Sequence, residues 1–204
     1  MKITYLGHSC FAVEEDGYRI IFDPYKNGSV PGCTDLDEEA DLVICSHGHD
    51  DHNAKDLIRK RPPVPCPFRV TTIHSLHDDH RGKLRGTNDI TMVRGKLTAV
   101  HMGDIGCDLT DDQYALLKGA DVLMIPVGGF FTIDAAAARK MADRIGARVT
   151  IPMHYRGKGF GYPVIGKVEK FTELSSDTAF YGSELIVDEN TPRQTAVMEA
   201  LYWK

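Results

Sequence analysis

Three short segments near the start of the chain carry the apolar positions of β-strands. Residues 2–7 and 9–15 alternate or run apolar, and residues 18–23 follow the turn signal Asp16-Gly17. Asp-Gly between two apolar runs is a strong local signal for a hairpin. The pattern therefore predicts an antiparallel meander of three strands at the start of the fold.

The rest of the chain alternates apolar runs of strand length with helix-like segments. Strands are predicted at residues 41–46, 69–76, 120–127 and 147–155, with a hairpin at 89–104 turning at Arg94-Gly95 and one or two strands at the end. Helices are predicted at 53–60, 111–118, 133–145 and 164–174; Asn53, Thr110 and Thr132 would cap the first three, and Gly146 would end the third. This order indicates two sheets with helices packed outside them.

Length and composition narrow the class of protein. The 204 residues predict a single domain over 1–204, and 42% hydrophobic with 26% charged residues is ordinary for a globular protein. A net charge of −5 without a basic run argues against nucleic acid or an anionic membrane as a partner. No apolar run is long enough to span a bilayer, and the first residues lack the order of a signal peptide. We therefore expect a cytoplasmic protein.

The cysteines argue against a disulfide framework, whereas the histidines indicate a metal site. Five cysteines without paired spacing argue against a disulfide framework, although Cys107 lies close to a candidate ligand. Nine histidines are present, and the run from His47 to His52 reads His-x-His-x-Asp-His. Imidazole and carboxylate groups are the natural ligands of zinc and similar ions. On a loop after a strand, His47 and His49 can converge on one ion while Asp51 and His52 turn toward a second, so chance clustering is the weaker interpretation.

Remote ligands are expected at the ends of other strands. His77 follows the strand at 69–76, Asp104 follows the strand that ends in His101, and His154 ends the strand that starts near residue 147. All three positions fit one shared rim with the histidine-rich loop. His74 and His80 remain alternatives to His77, because both lie within a few residues of it.

The motifs HGHDDH, HD, HMGD, IPVGGFFTID and IPMHY resemble those of the metallo-β-lactamase fold. The opening ITYLGHSCF and the later IFDP are similar to its branch of small metal-dependent hydrolases that includes L-ascorbate-6-phosphate lactonase. The resemblance covers about residues 2–155 and implies an α+β fold: a four-layer αββα sandwich of two mixed β-sheets packed face to face, with helices outside. Cys107 departs from the pattern, since relatives often have histidine there.

The resemblance also implies a role for each ligand candidate. His47, His49 and His77 would hold a first divalent ion, Asp51, His52 and His154 a second, and Asp104 would bridge them. Zn²⁺ is the expected ion, with Mn²⁺ or Fe²⁺ as alternatives, because histidine-rich sites accept several metals. Di-iron relatives typically carry glutamate at the second histidine of the motif, so His49 favours hydrolysis over redox chemistry.

A bound metal lowers the pKa of water from about 15.7 to about 7, so a hydroxide shared by two ions is the expected nucleophile. Asp104 would hold the ion pair together, and Asp51 could accept the hydroxide's proton. His8, Asp23 and His101 are candidates for supporting the ligands from behind. The alternative is a structural histidine for His8 and a turn cap for Asp23, while for His101 a supporting or core role is favoured over direct ligation. Arg85 and Arg156 are candidate contacts for an anionic substrate, with a solvated surface charge as the alternative.

Three functions remain open at this point. The leading hypothesis is a hydrolase acting on a lactone, ester or amide bond of a small molecule. A phosphodiesterase or nuclease could use the same dinuclear site, although the acidic balance counts against a nucleic-acid substrate. A non-catalytic metal-binding protein of the same fold is the third. A homo-oligomer is an open expectation, because relatives of this branch are often oligomeric.

Overall fold

The structure, a computed structural model, describes residues 1–203. Five strands form the first sheet in the order β13-β1-β2-β3-β5. In chain order, these strands are β1 (Lys2–Gly7), β2 (Cys10–Glu15), β3 (Tyr18–Phe22), β5 (Leu42–Ile44) and β13 (Glu184–Ile186). The predicted meander is confirmed, since β1, β2 and β3 pair antiparallel in sequence order. β5 adds parallel to β3, which makes the sheet mixed.

Seven strands form the second sheet in the order β12-β14-β11-β10-β9-β8-β7. Their bounds are β7 (Arg69–Leu76), β8 (Thr87–Arg94), β9 (Thr98–His101), β10 (Val122–Pro126), β11 (Val149–Met153), β12 (Thr178–Tyr181) and β14 (Gln194–Met198). β7, β8 and β9 pair antiparallel, whereas β9, β10, β11, β14 and β12 pair parallel. β10 and β11 are buried along their whole length, as expected for parallel strands covered on both faces.

The core lies between the two sheets. One continuous cluster joins Phe11 and Phe22 of the first sheet to Val100, Met124 and Ile151 of the second, all at most 1% exposed. Face-to-face packing of two mixed sheets confirms the predicted α+β class. The outer face of the first sheet packs under the chain between β3 and β7, which holds the small sheet β4 (Glu39–Ala40) with β6 (Arg59–Lys60).

Three helices are present among residues 1–203: α1 (Asp111–Leu117), α2 (Ala135–Ile145) and α3 (Glu169–Thr172). α1 is capped by Thr110 as predicted, with Gln113 completing a capping box. α2 ends at Gly146 in the left-handed conformation, also as predicted. No helix of the described residues is long and apolar enough to cross a membrane.

Three helix predictions were wrong in detail. Asn53 does not cap a helix at 53–60, because only a 3₁₀ turn at Lys55–Leu57 forms before the chain enters β6. Asp134, not Thr132, caps α2, since its carboxylate accepts the backbone N–H of Ala137. The helix predicted at 164–174 shrinks to the four residues of α3.

Candidate metal site

The candidate ligands stand at strand ends along one edge of the sandwich. His8 lies in the turn between β1 and β2, the histidine-rich loop follows β5, and His77 follows β7. Asp104 follows β9, and His154 follows β11. His8 and His154 both have positive φ, at 56° and 52°, a conformation that non-glycine residues adopt rarely and often at functional sites. The rim predicted from the sequence is present.

One group of side chains is open to solvent on one side. His47, His49 and His77 each offer a donor atom within 4.8 Å of the others. The centroids of the His47 and His77 rings are 4.6 Å apart, and those of His49 and His77 are 5.1 Å apart. His49 is exposed, whereas His77 is buried. These three side chains are named the open cluster below.

A second group lies deeper in the fold. His8, Asp51, His52 and His154 also offer donors within 4.8 Å of one another, and all but Asp51 are buried. Their contacts centre on Asp51, whose Oδ2 lies 3.3 Å from His8 Nε2 and 3.7 Å from His52 Nε2. This group is named the buried cluster below.

Asp104 stands between the two clusters. Its Oδ2 lies 3.2 Å from the Nε2 atoms of both His52 and His154, and 3.4 Å from His77 Nε2. The residue is 2% exposed. Burial would raise the pKa of Asp104, but His154 and His52 hold it well below its usual value. A charged carboxylate is therefore available to groups on both sides.

Several buried nitrogen and oxygen atoms at this edge, each able to bind a metal ion, have no hydrogen-bond partner among the described residues. They are His8 Nδ1 and Nε2, His47 Nε2, His52 Nε2, His77 Nδ1, Asp104 Oδ1 and both ring nitrogens of His154. Buried polar atoms are normally paired, so a cluster of unpaired ones calls for an explanation. Divalent cations satisfy imidazole and carboxylate donors together, and the residues present therefore fit metal ions.

Asp23 supports the buried cluster from behind. Its Oδ2 lies 2.8 Å from His52 Nδ1 and accepts the Ser46 hydroxyl at 2.6 Å, while Oδ1 accepts the Ser46 backbone N–H. Burial lowers the pKa of His52, but Asp104 and Asp23 together raise it well above its ordinary value. This contact directs the other nitrogen of His52 toward Asp104. A carboxylate behind a ligand histidine fixes its ring orientation and tautomer.

His101 has a different environment, although it is equally buried. Its Nε2 donates to the Ser9 carbonyl at 2.8 Å, and its Nδ1 accepts the Gly103 backbone N–H at 3.2 Å. Its ring stacks on Phe22 at 5.2 Å between centroids. Both nitrogens are satisfied within the protein, so the structure places His101 in the core behind the site.

Two supporting residues were missed by the sequence reasoning. Asn88 donates to Ser75 Oγ and the Met102 carbonyl, and its Oδ1 accepts the backbone N–H of Asp104 at 2.7 Å. Asp78 accepts four backbone N–H groups of the following loop, from residues 80, 82, 84 and 85. An Asp directly after a candidate ligand and before a glycine-containing loop was the signal that could have identified Asp78.

A cavity of about 270 Å³ opens above the ligands. Its lining consists of His49, Asp51, His77, Arg85, Asp104, Phe131, His154 and Tyr162. Tyr162 was missed from the sequence, because no motif surrounds it. Its hydroxyl donates to the Ser29 carbonyl at 2.8 Å and lies 3.3 Å from Asp51 Oδ2. Burial, followed by the charge of Asp51, raises the pKa of Tyr162, so the phenol keeps its proton.

The two candidate substrate contacts separate in the structure. The Arg85 guanidinium lines the cavity and lies 5.2 Å from the centroid of the Phe131 ring. Arg156 lines a different groove, beside Gly128 and Gly166, and its Nε donates to the Ile165 carbonyl. The structure therefore does not bring Arg156 to the metal site.

Three further residues lie away from the cavity. His74 is exposed and contacts Asp89 at 2.6 Å, and His80 is exposed and contacts its neighbour Asp79 at 2.6 Å. Neither lies near the open cluster, whereas His77 is part of it. Cys107 lines a separate cavity between α1 and α2 and approaches the Leu76 carbonyl at 3.8 Å.

Two facing mixed sheets with a His/Asp cluster at one edge define the metallo-β-lactamase fold class, and comparison with known proteins agrees. The family model described as "Beta-lactamase superfamily domain" matches residues 2–154, and the chain belongs to that family. A metal-dependent hydrolase of the UPF0173 group from Carboxydothermus hydrogenoformans is 30% identical, over 76% of this chain and 84% of that one. The protein is thus a metal-dependent hydrolase of the metallo-β-lactamase superfamily.

Solved structures show the same similarity. A Thermotoga maritima protein, assigned as a Zn-dependent hydrolase of the metallo-β-lactamase superfamily, superposes with a TM-score of 0.79 at 30% identity, covering 98% of both chains. Igni18, a metallo hydrolase from Ignicoccus hospitalis, gives a TM-score of 0.62 at 20% identity, over 85% of this chain and 89% of that one. The second match shows the fold alone.

Proposed function

We propose that this site binds two divalent cations and hydrolyses a lactone, ester or amide bond of a small molecule. The observation that carries the proposal is the position of Asp104, whose Oδ2 is within 3.4 Å of histidines from both clusters. One carboxylate between two sets of unpartnered imidazoles is the arrangement that a pair of neighbouring ions requires. The open cluster would hold one ion, the buried cluster the other, and Asp104 would contact both.

When bound, such ions supply an acidified water as nucleophile and polarise the substrate oxygen. The side chains around them have separate tasks. Asp51, whose pKa is held low by His8 and His52 against the effect of burial, stays charged and can hydrogen-bond a water proton. Tyr162 keeps its phenolic proton and is placed as a hydrogen-bond donor beside Asp51. Phe131 contributes an apolar surface to the cavity lining.

The cavity restricts the substrate by size and by charge. A volume of about 270 Å³ lies just below the range of about 300–1,000 Å³ for small-molecule sites, which favours a compact substrate. Arg85 makes no ion pair with a carboxylate among residues 1–203, and its guanidinium is held over the Phe131 ring. A carboxylate or phosphate group on the substrate would complete that contact, because guanidinium pairs with both in bidentate fashion.

Reconstitution of the metal-free protein tests the reaction. The protein is stripped with a chelator, loaded with Zn²⁺, Mn²⁺ or Fe²⁺ in turn, and assayed on neutral and carboxylate-bearing lactones, esters and amides, and on a generic phosphodiester. We expect hydrolysis of a carbonyl substrate to reach its plateau at two ions per chain. Faster cleavage of the phosphodiester, or a plateau at one ion, would contradict the proposal. Metal binding without turnover of any substrate would support a non-catalytic protein instead.

The role of Arg85 is tested with the same panel. Arg85→Met should raise KM for the carboxylate-bearing substrates by about ten- to a hundredfold, in line with the 1.5–3 kcal/mol typical of a charged hydrogen bond. The KM for neutral analogues should stay unchanged. Lys83→Met is the matched control, since Lys83 is an exposed cation on the same loop. An equal rise in KM for neutral and anionic substrates would contradict the anionic class.

A further inference from the structure

His8 is held rigidly although it lies in a two-residue turn. Its φ is 56°, and its side chain is fully buried. Its carbonyl accepts the Tyr5 hydroxyl at 2.9 Å and the backbone N–H of His154 at 3.0 Å. Two contacts to one carbonyl fix the turn against the end of β11. The imidazole direction is therefore set by the fold and not by a flexible loop.

The imidazole of His8 has no hydrogen-bond partner at either nitrogen among the described residues. Its ring lies 4.2 Å from the ring of His154 and 5.4 Å from that of His52, between centroids. Its Nε2 is 3.3 Å from Asp51 Oδ2, but the geometry of a hydrogen bond is missing. Both atoms belong to the group of four side chains whose donor atoms lie close enough together to hold one ion.

His101 provides an internal comparison for the His8 environment. Both imidazoles are 1% exposed and both lie behind the same edge of the sheets. His101 satisfies both of its nitrogens through Ser9 and Gly103, as a structural histidine does. His8 satisfies neither. Burial alone does not explain a histidine with two unpaired nitrogens, because an unpaired buried polar group is costly.

We propose that His8 is itself a metal ligand, donating Nε2 to the divalent cation of the buried cluster. The four donors of that cluster lie within 4.8 Å of one another, which is the spacing of side chains that share one ion. The inference deepens the proposed function and rests on the metal site itself. It differs from the sequence expectation, in which His8 supported the site without touching the metal.

If His8 is a ligand, the two ions differ in the number of protein ligands and therefore in their roles. His8, Asp51, His52 and His154, with Asp104 shared, would offer five protein donors to the buried ion. Tetrahedral zinc sites use four ligands, and catalytic ones keep one position for water or substrate. The buried ion would therefore be close to saturated by the protein. The open cluster offers three histidines and the shared Asp104, so the ion there would be the one that meets the substrate.

The alternative is that His8 only donates a hydrogen bond to Asp51. His8→Gln separates the two roles, because the glutamine amide can donate from nearly the position of Nε2 but is a poor metal ligand. His8→Asn is the second variant, since asparagine tolerates positive φ and is too short to reach Asp51. His74→Gln and His74→Asn are the matched controls, because His74 is exposed, pairs with Asp89 and belongs to neither cluster.

Metal affinity of the stripped proteins is measured by competition with a chromogenic chelator. We expect both His8 variants to bind one ion with unchanged affinity and the second at least about a hundredfold more weakly, beyond the usual effect of a residue outside the ligand set. The His74 variants should match the wild type. Unchanged affinity for both ions in His8→Gln would overturn the inference.

A second measurement uses the wild-type protein and does not depend on any variant. The chain is labelled with ¹⁵N-histidine and loaded with ¹¹³Cd, so that a direct bond appears as a coupling between the two nuclei. We expect six coupled imidazoles: His8, His47, His49, His52, His77 and His154. Five couplings with His8 uncoupled would overturn the inference and leave the metal site intact. No coupling at any histidine would overturn the proposed function as well.

Discussion

The two clusters on either side of Asp104 are built in different ways. In the open cluster, His47 and His49 come from one loop, and His49 is exposed. In the buried cluster, the side chains come from the ends of β1, β5 and β11. Asp23, which follows β3, fixes His52 from behind.

This difference predicts which of the two ions the protein holds more firmly. Buried donors at several strand ends are positioned by the packing of both sheets, so binding of that ion is coupled to folding. In the open cluster, the exposed His49 can rearrange at lower cost than a buried donor. We therefore expect the buried ion to be retained during mild chelation and the open ion to be lost first.

The largest effect is expected from the residue that both clusters share. Asp104→Asn should lower kcat/KM by about 10³-fold or more, since metal chemistry supplies several kcal/mol and each 1.36 kcal/mol is tenfold. Both ions should bind more weakly, as measured by competition with a chelator. Asp79→Asn is the control, because Asp79 is exposed and forms its ion pair with its neighbour His80. Loss of one ion alone would show that Asp104 belongs to a single cluster.

The second-largest effect is expected on the free energy of unfolding of the metal-free protein, which should differ between variants of the two clusters. His52 lies between two buried carboxylates, Asp23 and Asp104, so His52→Ala removes one charged partner from each of them. We expect a loss of about 3–5 kcal/mol in the free energy of unfolding, measured in urea at neutral pH. His49→Ala should change it by less than about 0.5 kcal/mol, because His49 is exposed. Equal losses would remove the structural difference between the clusters.

A smaller effect is expected behind the buried cluster. Asp23→Asn keeps the shape of the side chain but weakens its hold on His52 Nδ1. The affinity of the buried ion should fall about ten- to a hundredfold, the usual range for such supporting carboxylates. The affinity of the open ion should not change, and this serves as the control within the same protein. A drop in both affinities would mean that Asp23 supports the whole loop through Ser46.

The smallest effect concerns the loop that carries Arg85 on the open side. Burial raises the pKa of Asp78, but the backbone N–H groups of Arg85, His80, Leu84 and Gly82 bring it below its ordinary value. A carboxylate with a lowered native pKa stabilises the fold fully above its unfolded pKa, near 3.9, and loses that contribution as pH falls through the native value.

Asp78→Asn removes this charge and should therefore destabilise the protein at neutral pH. The difference from the wild type in the free energy of unfolding should shrink below about pH 4, where the wild-type carboxylate also becomes protonated. Urea unfolding at several pH values measures it. A difference that stays constant with pH would show that shape, and not charge, explains the role of Asp78.

The sequence predicted the meander, most strands, the start of α1, the end of α2 and the histidine-rich loop, because these depend on local periodicity and on short motifs. It also predicted that His77, Asp104 and His154 stand at strand ends. It failed at the Asn53 segment and at 164–174, where helical patterns are short and tertiary packing overrides weak local preferences.

By itself, the sequence determined the kinds of donor present and the family to which the chain belongs, since motif chemistry and strand periodicity are local properties. Only the tertiary structure decided that His77, and not His74 or His80, faces the site, that Arg156 does not reach it, and that Tyr162 and His8 do. These side chains are far apart in the chain, and their distances depend on sheet register and on how the two sheets pack. Register and packing are collective properties of the whole core, so no single segment encodes them.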